Sequence, residues 1–390
     1  MSQRDELAFL RSITADPSDD TVRLVYADWL EEHGKSERAE FIRVQIELSQ
    51  IDEAHDRWDA LKLRETELFT ANQKVWEDEI LERFSGFRLR DTWDVSIYRR
   101  GFPHRVYIIS VRPFLLEADR FLERVPAEEV ILRWTHDYDL EEEDDQFGEL
   151  LESSQVVYLT GLKTVGRGYA LEGIQRLLQS DHAPNLRQLD THDCDYYGTA
   201  IAEVIAEAHQ LTGLESLDLS GNQIQDEGLR LIAESPHLGS LTTLMLGVDA
   251  GDSTNRIGED GVIALANSRY LKSLECLDLN RNEDIGNEGV KAIARSKALA
   301  ALRDLNLFGT GCDVEGVIAL AKSRTLRNLR RLSVGSVVLT DDAARAMVES
   351  KAFANLVLLD FDGSEEVELS EQGKRLLRER FGHRIKGLSE

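Results

Sequence analysis

Metal ligands and phosphate-binding turns are the side chains most able to do chemistry, and this chain holds few of either. His192, Cys194 and Asp195 fall close together, with His182 ten residues before His192. Zinc takes three or four nitrogen or sulfur ligands at tight spacing, and one cysteine falls short of that. Val165–Gly173 reads VGRGYALEG, with two glycines spaced as in a phosphate cradle before the pattern departs; it reads as the loop before a helix. The carboxylates of Asp139–Asp145 offer oxygen to calcium. They lack the glycine turn and the alternating ligands that calcium loops use, so a solvated acidic loop is expected. Tyr26, Trp29 and Phe41 can form an aromatic cage, but at helical spacing they read as core. No G-x-S-x-G, Walker or H-E-x-x-H pattern occurs. The expectation is a chain with no catalytic residues, no cofactor and no metal.

The elements that must position the remaining polar residues repeat. LESLDLSGNQIQDEGLRLIAES begins at Leu214, LECLDLNRNEDIGNEGVKAIARS at Leu274, and LRDLNLFGTGCDVEGVIALAKS at Leu302. Further copies begin at Leu186, Leu241, Leu329 and Leu356, at successive intervals of 28, 27, 33, 28, 27 and 27 residues. Each copy runs L-x-x-L-x-L, a short loop, an acidic-glycine step, and a helix with apolar residues three and four apart. Leucines at positions 1, 4 and 6 point inward from a short parallel strand, and the residues between them face out. One such unit cannot bury its own apolar face, so the copies must stack. Asn222 and Asn282 are placed to bond loop backbone groups, and Gly228, Gly261, Gly289 and Gly316 open the helices at points of close approach or unusual φ. Weaker copies are traced upstream through Val157 and Leu159, Val130 and Leu132, and Val106 and Ile108. The terminal helix SEQGKRLLRERFGHRI has no successor and reads as a cap.

Stacking aligns equivalent positions into rows. The position-5 row reads Asp190, Asp218, Met245, Asp278, Asn306, Ser333 and Asp360, flanked by Asp304 and Asp362 with His192, Ser220, Asn280 and Phe308. Adjacent strands lie roughly 4.8 Å apart, so these carboxylates become neighbours. The 33-residue copy carries five or six extra residues in GVDAGDSTNRIGEDG, which puts Asp249 and Asp252 in a loop on the rim. The candidate protein-binding residues are therefore Asp190, His192, Asp218, Ser220, Met245, Asp249, Asp252, Asp278, Asn280, Asp304, Asn306, Phe308 and Asp360.

Residues 1–85 read as helices. Leu7, Leu10 and Ile13 line the first. Ser18, Asp19 or Asp20 caps a second, with Val22, Val25, Tyr26, Trp29 and Leu30 as its apolar stripe, and Gly34 stops it. A third helix carries Phe41, Ile42, Ile46 and Leu48. A long charged one carries Trp58, Leu61, Leu68, Val75, Trp76 and Ile80. Trp93, Val95 and Ile97 alternate as in a strand.

The repeats beginning LESLDLSGNQIQDEG resemble the ribonuclease-inhibitor subfamily of leucine-rich repeats. The stretch ITADPSDDTVRLVYADWLEEHGKSERAEFIRVQIEL is similar to the repeat-companion domain of certain bacterial proteins, and RRGFPHRVYIIS and LRERFGHRI resemble segments common among them. The resemblance implies an α/β horseshoe solenoid, strands inside and helices outside, behind an N-terminal α-helical domain, in a class of interaction proteins that brings no catalytic residues. The expected organisation is a companion domain over 1–85, a transition with degenerate repeats over 86–185, and regular repeats with a cap over 186–390.

With 72 acidic and 46 basic residues among 390, the formal charge is −26. Such a surface repels phosphate backbones and anionic membranes and steers basic partners inward. Cys194, Cys276 and Cys312 are too few and too scattered for a disulfide framework. The charged N-terminus has no signal-peptide core, and no apolar run reaches transmembrane length. The reading is a cytoplasmic, non-enzymatic scaffold whose concave face binds another protein, of basic charge, without nucleic acid or membrane. Two alternatives stay open: an inhibitor masking a basic enzyme or toxin, and an enzyme with a site where the companion domain meets the repeats.

Overall fold

The computed structural model describes residues 3–51, 55–82, 84, 86–89, 98–135, 148–165, 170–180, 186–193, 198–248 and 254–388. Two compact units divide the chain: Met1–Trp134 with Asp139–Gly161, and Thr135–Tyr138 with Leu162–Glu390. No helix among the described residues is long and apolar enough to cross a membrane.

The first unit opens with four helices, α1 (Gln3–Ala15), α2 (Asp20–Glu32), α3 (Ser36–Gln50) and α4 (Trp58–Leu81). Of the three candidate caps before α2, Asp19 does the work, its carboxylate accepting the Thr21 N–H at 2.8 Å. The buried stripe of α2 is Arg23, Tyr26, Ala27 and Leu30, while Leu24 and Val25 are exposed. That corrects the expected stripe, which included Val25. Its first member is an arginine lying over the Phe102 ring, 5.7 Å from the centroid, which apolar periodicity cannot detect. Val75 on α4 is likewise exposed. Helix α3 is central because it is apolar on two sides. Ala39, Ile42 and Ile46 join Leu10, Ile13, Tyr26 and Leu30, whereas Phe41, Val44 and Leu48 join Leu61, Leu68, Phe69, Trp76 and Tyr98.

Short strands follow: β1 (Phe87–Arg88), β2 (Tyr98–Arg99), β3 (Phe102–Pro103), β4 (Arg105–Ile108) and β5 (Glu129–Thr135), with α5 (Val111–Leu122) between the last two. Strand β4 pairs antiparallel with β1 and parallel with β5. The turn joining β2 to β3 is fastened to α3. Buried Gln45 donates to Glu65 and to the Tyr98 carbonyl and accepts the Gly101 N–H at 2.7 Å. Gly101 has φ +87° and lies so close to Ile42 that a Cβ would sit 2.2 Å from its Cγ1. Trp93, Val95 and Ile97 fall outside the described residues.

The second unit is a solenoid. Strands β6 (Gly161–Val165), β7 (Gln188–Asp190), β8 (Ser216–Asp218), β9 (Thr243–Met245), β10 (Cys276–Asp278), β11 (Asp304–Asn306) and β12 (Arg331–Ser333) follow one another in the sheet, then β14 (Leu358–Asp360) and β16 (Ile385–Lys386). Strands β13 (Val338–Thr340) and β15 (Glu365–Glu368) form a separate parallel pair. Leu189, Leu217, Leu244, Leu277, Leu305, Leu332 and Leu359 are in register across seven strands, and all are buried. Two upstream and terminal readings change. Residues 154–158 form a 3-10 turn rather than a strand. The strand lies later because Leu159, Leu162 and Thr164 occupy the inward positions, and a threonine broke the leucine pattern. The terminal helix, Glu371–Phe381, is followed by one more strand, β16, paired with β14.

Strands of three residues leave long stretches of backbone to be satisfied by side chains. Asn222 and Asn282 donate to carbonyls of their own loops and of the preceding repeat. In the long repeat Asn255 does the same: its amide donates to Leu219 and Leu246 carbonyls and its Oδ1 accepts from Asn222 and Ile224 N–H groups. Asn255 stands nine residues beyond Leu246 where Asn282 stands three beyond Leu279, so the extra residues lie between strand and asparagine. A serine follows five of the helices on the other side. Ser235, Ser268, Ser296, Ser323 and Ser350 donate to the carbonyls of Ala206, Ala233, Ala266, Ala294 and Ala321 at 2.5–2.7 Å. The helix-opening glycines serve close approach rather than φ. A Cβ on Gly228 would stand 2.5 Å from Ile224 Cγ2, and one on Gly261 2.6 Å from Asp226 Oδ1.

Leu277→Ala is expected to cost about 2–5 kcal/mol, from lost burial plus a cavity. Asn255→Ala, which strips partners from several buried backbone groups at about 1–3 kcal/mol each, is expected to cost at least as much. Urea unfolding of both variants checks this. A loss under about 1 kcal/mol for Asn255→Ala means that the loop finds other partners.

Candidate functional site

Register, more than any single residue, builds the outward strand face. Asp190, Asp218, Met245, Asp278, Asn306, Ser333 and Asp360 are successive Cα partners, and Lys386 ends the row. The neighbouring row runs Gln188, Ser216, Thr243, Cys276, Asp304, Arg331 and Leu358. The expected row is therefore assembled as read, with Asp304 beside it. Asp190, His192, Asp218, Ser220, Met245, Asp278, Asn280, Asp304, Asn306, Phe308 and Asp360 are all half-buried, alternating with fully buried leucines. Asp249 and Asp252 lie outside the described residues, as do His182, Cys194 and Asp195.

Each acidic or amide side chain of the row folds back on its own turn. The Oδ1 atoms of Asp190, Asp218, Asp278, Asn306 and Asp360 accept the backbone N–H two residues on, at 2.8–3.2 Å. This is an Asx-type turn, and it gives the recurrent aspartate a structural purpose. The charges differ in what else they meet. Asp304 is held by Arg331 through two hydrogen bonds of 2.9 and 2.7 Å. Asp190 is held by Lys163 at 3.0 Å and by His192 Nδ1 at 2.5 Å. Asp278 receives amide N–H bonds from Asn280 at 2.7 Å and Asn306 at 2.9 Å. Among the described residues no cationic side chain pairs with Asp218 or Asp278. Between their strands Met245 continues the row, and behind it lies Gly247, where a Cβ would stand 2.1 Å from Asn280 Nδ2.

The electrostatics follow these partners. Burial works against ionisation of Asp190, but the His192 hydrogen bond, the His192 charge and Lys163 prevail and hold its carboxyl below the ordinary range. The Asp190 hydrogen bond raises His192. Asp218 is pushed up, by burial first and by the neighbouring Asp190 charge second. The Cys276 thiol is pushed up to about 11 by burial and by Asp304 and Asp278, so it stays protonated and weakly nucleophilic at neutral pH.

Asp190, His192 and Asp218 set one ligand atom each within 4.8 Å of one another, a donor set that suits a divalent cation. The protein's own cations already occupy it: Lys163 faces one oxygen of Asp190, and the His192 ring is bonded to the other. The sequence reading missed this trio, because it looked for ligands near His192 in the chain and Asp218 comes from the next repeat. The interval of 28 between Leu186 and Leu214 carries the signal that sets Asp190 beside Asp218.

Comparison with known proteins agrees on the repeats. A family model described as leucine rich repeat matches residues 210–233 and 270–294. No curated protein sequence matches. Two solved structures are similar. One is the crystal structure of the Rad7 and Elc1 complex in yeast, at 14% identity, covering 94% of this chain and 92% of that chain with a TM-score of 0.47. The other is a protein from Bacteroides fragilis, at 16% identity, covering 65% and 73% with a TM-score of 0.35.

The opposed shifts sort the two aspartates by their effect on stability. Asp190, lowered in the folded state, contributes stability above its unfolded value of about 4 that is lost as pH falls through its folded value. His192, raised, contributes fully below its unfolded value of about 6.5, and its share is lost as pH rises through its folded value. Asp218, raised, costs stability once ionised. At pH 7, Asp190→Asn is expected to lose about 1–3 kcal/mol, having removed charged hydrogen bonds. Asp218→Asn keeps the turn acceptor and should leave Tm unchanged or higher. Calorimetry of both at pH 5 and 7 decides: a large Tm loss for Asp218→Asn means that its charge serves the fold.

Proposed function

We propose that this leucine-rich-repeat protein is a binding scaffold that uses the middle of its strand face, Asp218, Met245 and Asp278 with Ser220 and Asn280, to hold a basic surface of another protein. The observation that carries the reading is a charge the fold does not require. Asn306 makes the same turn as the aspartates with a neutral side chain, accepting the Phe308 N–H at 3.1 Å. Met245 and Ser333 occupy the position without that acceptor geometry being needed. At Asp218 an ionised carboxylate therefore adds nothing that asparagine would not give to the turn, and burial and Asp190 make its charge costly; at Asp278 the second oxygen accepts only a neutral amide, Asn306 Nδ2 at 2.9 Å.

Asp190 is already answered by Lys163, and Asp304 in the neighbouring row by Arg331. That narrows the candidate set from the whole row to its centre. Asp218 and Asp278 are two strand steps apart, roughly 10 Å. Lysine or arginine side chains laid along Met245 reach both, their apolar stems on the thioether and their heads at the carboxylates. Asn306 and Phe308 extend the same surface toward β12, and the chain's net charge of −26 speeds encounter with a basic partner. Binding of this kind calls for no reaction at the face, where the one described thiol is held protonated.

The test is affinity capture from the source cell, followed by surface plasmon resonance on the captured partner at two salt concentrations. Converting Asp218 and Asp278 together to asparagine is expected to weaken binding by at least about tenfold at low salt, mainly by slowing association. A helix-side control, Arg295→Ala with Lys297→Ala, should leave the kinetics near wild type. Unchanged kinetics for the aspartate pair beside a loss for the helix pair refutes the assignment.

A further inference from the structure

In the later repeats charge is sorted by which end of the helix it stands at. The helices Glu259–Ala266, Gly286–Arg295, Val314–Ala321 and Asp341–Val348 open on acids, among them Glu259, Asp260, Glu288, Glu315 and Asp341. At its other end each helix passes into a loop that leads to the next strand, and these loops are basic. Arg269, Lys297, Arg324 and Lys351 each follow directly on a serine, Ser268, Ser296, Ser323 or Ser350, whose hydroxyl is fixed to a carbonyl of the preceding repeat. They therefore form a row, one per repeat, at intervals of 28, 27 and 27 residues.

A cation just beyond a helix C-terminus offsets the helix dipole, which is reason enough for that row. It does not account for the cations nearer the strands, Lys272, Arg303, Arg327, Arg330 and Arg331. Arg303 pairs with Glu275 at 3.4 Å and Arg331 with Asp304 at 2.7 Å. Among the described residues no acid pairs with Lys272, Arg327, Arg330 or any cation of the row, and all of them are exposed. The backbone beneath them is tied down. Asn328 donates to the Ala300 carbonyl at 2.9 Å, and Asn355 to the Arg327 carbonyl at 3.1 Å. In a chain with a formal charge of −26, this edge gathers like charges of the opposite sign that do nothing for one another.

We propose that this basic edge, from Arg269 to Lys351, is a second interaction surface, and that its partner is a short acidic segment of another protein lying extended across the repeats. Neighbouring repeats stand roughly 5 Å apart at their strands and about 10 Å apart at their helices, and the row lies between the two. Alternate residues of an extended chain are about 7 Å apart, so carboxylates on one side of the segment meet successive cations. Tyr270, 39% exposed, follows Arg269, and Val357, 54% exposed, gives its N–H to the Arg330 carbonyl at 2.7 Å. They offer apolar side chains of the segment a seat beside the charges.

Spacing alone also admits a phosphate backbone, and two observations favour the peptide. Tyr270 is the one exposed aromatic ring in these described loops, whereas single-stranded nucleic acid stacks successive bases on several. The edge is also bounded by a strongly acidic chain, so a polyanion that overran it meets repulsion that a short segment escapes. The surface does not rest on the strand-face reading, whose partner is cationic.

Fluorescence anisotropy on the full chain tests this with a dye-labelled deca-glutamate and an oligothymidylate of matched charge. Deca-glutamate is expected to bind saturably at low salt and the oligothymidylate at least about threefold more weakly. Arg324→Ala with Arg327→Ala and Arg330→Ala is expected to weaken deca-glutamate by at least about tenfold, with Tm unchanged because these side chains are exposed and unpaired. Should that variant unfold, Arg269→Ala with Lys297→Ala is read instead, with a loss of at least about threefold. Lys74→Ala with Arg230→Ala and Arg345→Ala removes as much positive charge, but each of these cations already has an acid on its own helix. That variant should bind like wild type, and Asp218→Asn with Asp278→Asn should not weaken the peptide. The proposal is overturned if deca-glutamate does not bind the wild-type chain saturably, or if a folded loop variant binds it like wild type. It is equally overturned if the helix variant loses as much, or if the oligothymidylate binds as tightly, which assigns the edge to nucleic acid.

Discussion

Three-residue strands are the constraint on which the second unit depends. So short a strand satisfies only a few of its repeat's backbone groups, and the rest of each turn passes through the interior, where an unpaired N–H or carbonyl costs about 1–3 kcal/mol. Side chains meet the deficit, and they do so between repeats. Asn255 takes N–H groups from Asn222 and Ile224 while giving its own to Leu219 and Leu246. The serines do likewise on the helix side, each closing on an alanine carbonyl in the last turn of the previous helix. These bonds tie one repeat to the next, so the leucine core and the polar ladder enforce the same spacing. An insertion is tolerated only where it leaves both intact, and the long repeat inserts between strand and asparagine accordingly.

The strand face inherits its geometry from that spacing. An aspartate at position 5 uses one oxygen for its own turn and leaves the second pointing along the row. What the second oxygen meets depends on the adjacent repeats: Lys163 beside Asp190, Asn306 beside Asp278, and Arg331 beside Asp304 in the neighbouring row. A uniform acidic stripe in the sequence thus becomes, once folded, a patterned surface. Asp190 and Asp304 are neutralised by side chains of adjacent strands, while among the described residues no cationic side chain pairs with Asp218 or Asp278. Counting carboxylates overstates the field, and pairing them with the residues one period away gives its shape.

Much of this was legible from periodicity. Leu217, Leu277 and Leu305 were placed in the core, and the position-5 row emerged in the expected order, because a repeat of nearly constant length fixes register without knowledge of the loops. Asn222 and Asn282 were read as loop acceptors and donors for the same reason. What escaped the reading depends on contacts that no period encodes. Asn255 was hidden by the insertion before it, although Asn-Arg-Ile257 copies the Asn-Gln-Ile224 step. The strand at Gly161 slipped because Thr164 stands where a leucine was sought. In α2, Arg23 takes a core position because Phe102 lies over it, and Phe102 is almost eighty residues away in sequence. Hydrophobic pattern shows where apolar surface goes and says nothing of a buried cation.

The two units therefore hold polar groups inside by opposite means. In the repeats the buried asparagines and serines have jobs that recur with the period, and a change in one copy can be judged against its neighbours. In the helical unit the interior polar groups are singular. Gln45 fastens one turn and Glu65 answers Gln45 and Lys62, while Arg38 is surrounded by rings and left with an N–H unanswered. A repeated architecture can leave a charge unpaired on its surface at small cost, since solvent screens it. A guanidinium N–H shut away from water, as Nη1 of Arg38 is, has no such relief.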